Sequence, residues 1–166
     1  MRVLGYLAQA FIYVGFAALL GYFASAPAYQ HFPDDEAMIK LAFAHGGKPK
    51  GACHRLTREE LQALAPNMRK PVSCPRERWP VDVELRVDGN LVYAASLPPS
   101  GLSGDGPSRA YEPVVVPVGR HEIDVRLRDG GPDAAFEYQR RANVELTPRR
   151  NLVIDFRPGM GGFVLE

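Results

Sequence analysis

The sequence predicts a mainly β protein. One N-terminal transmembrane helix leads into an antiparallel β-sandwich that carries a short helix in a disulfide-closed loop. Three observations predict this. Residues 3–26 hold no charge, while nearly every charge and proline of the 166-residue chain falls later. From Val81 onward, short segments alternate between apolar and polar residues, the pattern of a sheet with one wet face. The only two cysteines, Cys53 and Cys74, flank a short, highly charged helical segment.

The first stretch, "VLGYLAQAFIYVGFAALLGYFASA", is long enough for a bilayer-spanning helix, which needs about 20 apolar residues. A cleaved signal peptide is a second reading, because Ala24-Ser25-Ala26 resembles a cleavage site. Against it, Pro27 would follow the cut, and Arg2 alone supplies the basic leader. Signal peptides also have a shorter apolar region. A buried core helix is the third reading, and a membrane anchor at 1–26 fits best. No Lys or Arg lies between Arg2 and Lys40. Positive-inside reasoning therefore places the N-terminus in the cytoplasm and the bulk outside. In a Gram-negative host the membrane is the inner one and the outside is the periplasm.

Small residues at Ala17, Gly21 and Ser25 recur every fourth position, a spacing that lets another helix approach closely. Gln9 puts an amide into hydrocarbon, where an unpaired polar group is costly and calls for a partner. These four are the candidate helix-packing residues. A plain lipid-facing tether is the competing reading. Tyr6 and Tyr22 suit the membrane interfaces.

Residues 27–36, with Pro27, Pro33, Asp34 and Asp35, read as a linker. The domain proper is 37–166. "AMIKLAFAH" sets Ile39, Leu41 and Phe43 on one face of a strand. "LTREELQALAP" is helical: Thr57 and Glu60 have capping-box spacing, Leu61 and Leu64 form an apolar pair, and Pro66 ends it. "VDVELRV" turns Val81, Val83, Leu85 and Val87 inward. Asp88-Gly89 is a hairpin signal and "NLVYAASL" the returning strand. After the Gly/Pro/Ser loop 98–108, "AYEPVVVPV" has two prolines that suit an edge strand. Gly119 sits at a turn, and "HEIDVRLRD" then points Ile123, Val125 and Leu127 inward. "FEYQRRANVEL" has Phe136, Tyr138, Arg140, Ala142, Val144 and Leu146 on one face, and "NLVIDF" and "GFVL" finish the chain. Seven or eight short strands at regular spacing fit an immunoglobulin-like sandwich, with an open barrel second. Nothing separates the strands by a helix of about 10–15 residues, which argues against a βαβ fold.

"VELRVDGNLVY" followed by "VPVGRHEIDVRLRD" resembles the small PEGA-type surface β-modules of bacterial envelope proteins. These have a strand, an Asp-Gly hairpin and a Pro-x-Gly-x-His turn into the next strand. The resemblance covers about residues 81–129, and the loop at 98–108 departs from the compact form. It implies a module that binds or spaces and implies no active site.

Cys53 and Cys74 allow one intramolecular bridge. In a disulfide-permissive compartment it would close a loop of about 20 residues, stabilising by about 3 kcal/mol in the chain-entropy model. That is the favoured reading. A copper or zinc site using Cys53, His54, Cys74 and Met68, or an exchanging thiol pair, are the others. The adjacent Cys-His pair is not a standard metal spacing, and C-x-x-C is absent. His31, His45, His54 and His121 are scattered without H-E-x-x-H. No G-x-S-x-G surrounds a serine, and the Gly-rich loop 100–108 lacks the Lys-Ser/Thr end of a phosphate loop. No catalytic residue, cofactor or metal is therefore expected.

A formal net charge of +1 gives no bulk electrostatic case for nucleic acid. Locally, residues 48–78 hold eight cationic and three acidic side chains. Arg55, Arg58, Arg69, Lys70, Arg76 and Arg78, with the sole tryptophan Trp79, make a candidate docking surface within 51–80. A solvated face is the competing reading. The role expected is a non-catalytic accessory or assembly subunit of a multi-span inner-membrane complex. A respiratory or electron-transfer complex comes first, because small one-span subunits are common there. A free-standing envelope binding module and a copper metallochaperone on Cys53/Cys74 are the alternatives.

Overall fold

The computed structural model describes residues 2–26, 33 and 35–166. Most of the expected linker, residues 27–32 and 34, lies outside the described residues, as does His31. The chain divides into two compact units, residues 1–33 and 34–166.

The first unit is a single helix, α1 (Arg2–Ser25), with no buried residue. Among the described residues it is the one helix long and apolar enough to cross a membrane. Gln9 and Ser25 bond within the helix. Gln9 Nε2 donates to Tyr13 Oη at 3.0 Å, and Ser25 Oγ donates to the Gly21 carbonyl at 2.9 Å. Gln9 thus has a hydrogen-bond acceptor one turn away in its own helix. Around Gly21 there is open space.

The second unit is mainly β. Its strands are β1 (Glu36–His45), β2 (His54–Arg55), β3 (Val72–Ser73), β4 (Val81–Val87), β5 (Asn90–Leu97), β6 (Ser108–Pro117), β7 (Gly119–Arg128), β8 (Tyr138–Leu146), β9 (Asn151–Arg157) and β10 (Gly162–Leu165). Eight of them form two four-stranded sheets, ordered β10-β9-β1-β6 and β5-β4-β7-β8. Alternation decides which side chains meet, because a strand sends every second residue to the same face. Ile39, Leu41, Ile154 and Phe156 from one sheet share a single buried cluster with Val83, Leu85, Val125 and Leu127 from the other.

One pairing departs from expectation. β1 and β9 run parallel, whereas every other ladder is antiparallel. The two strands are far apart in sequence, so no tight hairpin dictates their relative direction. β6 is an edge strand, as Pro113 and Pro117 require, and pairs β1 alone. The β4–β5 turn has Asp88 at φ 52° and Gly89 at φ 79°. A type I′ hairpin needs positive φ at both positions. On the wet face of β4, Asp82 meets Arg128 and Glu84 meets Arg126, each at 2.7 Å.

Candidate docking site on the stapled loop

The sandwich is interrupted between β1 and β4 by residues 46–80. Their base is zipped into the domain by main-chain bonds. Lys48 N–H donates to the Asp129 carbonyl at 2.8 Å, Trp79 N–H to Lys48 at 2.9 Å and Lys50 N–H to Glu77 at 2.7 Å. Gly47 permits this approach, since a Cβ there would stand 2.0 Å from the Trp79 carbonyl oxygen. The Trp79 ring covers Gly131, and Lys50 Nζ lies 5.3 Å from the ring centre. Arg78 ties three segments together: Nη1 donates to the Gly47 carbonyl at 2.8 Å, Nε to Asp105 at 3.0 Å, and its own N–H to Gly104 at 3.0 Å.

Beyond this neck lies a small scaffold with no buried residue between 51 and 76. Local devices hold it instead of a core. Cys53 and Cys74 are joined in a disulfide. β2 pairs β3 antiparallel. Helix α2 (Arg58–Ala63) begins with the expected capping box: Glu60 N–H donates to Thr57 Oγ1 and Thr57 N–H to Glu60 Oε2. The Thr57 N–H lowers the Glu60 carboxyl below its ordinary value, since a hydrogen bond to the ionised form favours it. Arg69 Nε donates to the Leu64 carbonyl at 3.0 Å, satisfying a group that the helix end leaves open.

A groove of about 770 Å³ runs along this scaffold. Leu56, Leu64, Met68 and Val72 give it an apolar lining, and Lys70 and Arg76 supply cations. Met68 is 61% exposed and Val72 43%. Cys74 lines the groove too, and Arg78 and Asp105 border it on the side of the 98–107 loop.

The candidate docking residues therefore divide by what they already hold. Arg78 and Trp79 build the neck, and Arg69 caps the helix. Arg76 pairs with Asp105 at 3.1 Å while remaining largely exposed. Arg55, Arg58 and Lys70 have no ion-pair partner among the described residues, and only Lys70 of the three lines the groove. Gln9, Ala17, Gly21 and Ser25 all lie on α1 in the other unit. With both sulfurs bonded to each other, neither cysteine offers a thiolate to a metal. No cluster of three or more potential metal ligands occurs among the described residues.

Sequence reasoning missed a polar cluster at the foot of the neck. His45 Nε2 meets Asp129 Oδ2 at 2.8 Å. The other oxygen, Oδ1, is enclosed and lies 3.5 Å from Lys48 Nζ, which also pairs with Glu137. The bond to Glu137 raises the Lys48 pKa. The signal was present as parity: His45 continues the inward set Ile39, Leu41, Phe43, and Asp129 continues Ile123, Val125, Leu127. A second junction joins the two turns of the 81–129 motif. His121 Nδ1 meets Asp88 Oδ2 at 2.7 Å, and Asp88 Oδ1 accepts the Glu122 N–H at 2.9 Å.

Set against protein-family models, curated proteins and solved structures, the chain matches none of them.

Proposed function

We propose that this protein is a non-catalytic accessory or assembly subunit of a larger inner-membrane complex. It is tethered by one span, with its N-terminus in the cytoplasm and its β-domain in the periplasm. One observation carries this: residues 51–76 are held in a defined shape by a disulfide, a capping box and a strand pair, yet none of them is fully buried. Ordering a segment costs about 1–2 kcal/mol per residue in backbone entropy alone, and an ordered surface with exposed Met68 and Val72 fits a partner that covers it. An apolar helix of 24 residues supports the tether. The Ala17, Gly21 and Ser25 stripe, open at Gly21, supports close packing on another span. A respiratory or electron-transfer complex is the first candidate partner.

The domain reads as a sandwich of the broad immunoglobulin-like and PEGA-type kind, with its own partition of strands. In immunoglobulin constant domains the first, second, fourth and fifth strands share a sheet. Here β1 and β4 lie in different sheets and the β4–β5 hairpin stays within one.

Solubilisation of native membranes in mild detergent tests the role. The protein is expected to co-migrate with a multi-span complex. A monodisperse monomer would sink the subunit reading and leave a free-standing envelope binding module.

A further inference from the structure

We infer that the groove beside the disulfide takes a short, extended, acidic peptide segment of the partner protein, with an apolar side chain as its anchor. This rests on the docking reading above and names what docks. Charge complementarity is the first argument. Residues 48–78 concentrate eight cationic side chains against three acidic ones in a chain whose net charge is only +1. Several of these cations are committed to the neck, to helix capping or to Glu77, but Lys70 is unpaired among the described residues and Arg76 is 84% exposed. Both line the groove. An acidic ligand meets these two cations in the groove.

The lining chemistry supplies the anchor. Leu56, Leu64, Met68 and Val72 are half-buried or exposed, side by side along the same groove. Methionine and leucine adapt to an inserted apolar side chain at little conformational cost. The backbone argues for polypeptide over lipid. β3 is hydrogen-bonded to β2 on one side only, and Val72 and Ser73 both line the groove. Its other edge offers main-chain groups to an added strand, the recognition mode in which backbone bonds give affinity and side-chain pockets give specificity.

The test uses the full chain in nanodiscs of neutral lipid and three labelled ten-residue probe peptides read by fluorescence anisotropy. Each probe has a central leucine, flanked by Asp/Glu, by Ser/Gly or by Lys/Arg. The acidic probe is expected to bind at least tenfold tighter than either other, and to weaken at least fivefold between 50 and 300 mM salt by screening. Lys70→Glu and, separately, Met68→Asp are each expected to weaken it at least tenfold with the thermal melt unchanged, since both side chains are exposed. Equal binding of the three probes, or full binding by both variants, would overturn the inference. Displacement of the acidic probe by anionic phosphatidylglycerol vesicles would overturn it in favour of a lipid surface. The detergent experiment separates the two failures. If Lys70→Glu and Met68→Asp co-migrate with the complex as wild type does, docking stands and the groove assignment falls; if wild type itself does not co-migrate, the subunit reading falls.

Discussion

His121 presents both ring nitrogens to acceptors, the Asp88 carboxylate at 2.7 Å and the Pro117 carbonyl at 2.9 Å. Only the imidazolium has two N–H donors, so this geometry suits the charged form. The bond to Asp88 raises His121 above its ordinary 6.5, and the same bond, with the Glu122 N–H, lowers Asp88 below 3.8. The signs follow by linkage. The His121 contribution is complete below 6.5 and is lost as pH rises through the raised value; the Asp88 contribution is complete above 3.8 and is lost as pH falls through the lowered one. The melting-temperature difference between wild type and His121→Ala is therefore expected to be larger at pH 5.5 than at pH 9 or pH 3. An equal difference at all three would refute the clamp. The enclosed Asp129 makes a second case. Asp129→Ala leaves His45 Nε2 without its carboxylate partner and removes one of the two ion pairs of Lys48, which keeps Glu137; it is expected to cost about 1–3 kcal/mol in urea unfolding. Asp133→Ala, at an exposed position, should stay within about 0.5 kcal/mol. Inward parity made His45 and Asp129 visible in the sequence as polar residues at core positions. That they face one another was not visible, because it depends on which strand ends the two sheets bring together.

At the scale of elements, the strands declared themselves because alternation is a local property: each of β1, β4 and β7 buries every second side chain. The capping box of α2 was equally legible, being fixed by residues three apart. The parallel β1–β9 pair and the groove were not, since both arise from segments distant in sequence. The stapled loop gives the sharpest element-scale expectation. It contributes no residue to the core cluster, so its stability and that of the sandwich should separate. The paired change Cys53→Ser and Cys74→Ser is expected to leave the global melt of the sandwich nearly unchanged. Local opening of residues 51–76, followed by amide hydrogen exchange, should become easier by up to about 3 kcal/mol, the loop-closure term for this separation. A fall in the global melt comparable to that local loss would show the loop to be integral to the core. Gly47→Ala acts at the neck instead. The new Cβ would press on the Trp79 carbonyl, which is backbone and cannot swing aside. The expected cost is about 1–3 kcal/mol, the range for overpacking, with loss of acidic-probe binding as the neck shifts.

For the whole molecule, the two compact units make different demands on their surroundings. No residue of α1 is buried and none joins the core cluster, so its stretch of exposed Leu, Phe, Val and Tyr needs a bilayer or another helix around it. The β-domain carries its own shared core and needs neither. Its disulfide needs an oxidising compartment, because cytosolic thiol systems keep such pairs reduced. The proposed periplasmic placement rests on the same compartment and, separately, on the single Arg2 before the helix and the lack of Lys or Arg until Lys40. Deleting residues 1–33 and expressing the remainder in the cytosol separates these demands in one protein. It is expected to be soluble without detergent and to melt cooperatively, within about 2 °C of the same fragment after oxidation, since the staple lies outside the core. Intact mass should show both thiols free, with a loss of two hydrogens on oxidation and a corresponding slowing of exchange at residues 51–76. The full chain, inserted through its span, should arrive already oxidised and be cleaved by protease added to spheroplasts but not to sealed inverted vesicles. A fragment that fails to fold would show that the span supplies part of the domain's stability. A full chain whose cysteines remain reduced, or whose domain is protected in spheroplasts, would reverse the orientation argued from its flanking charges.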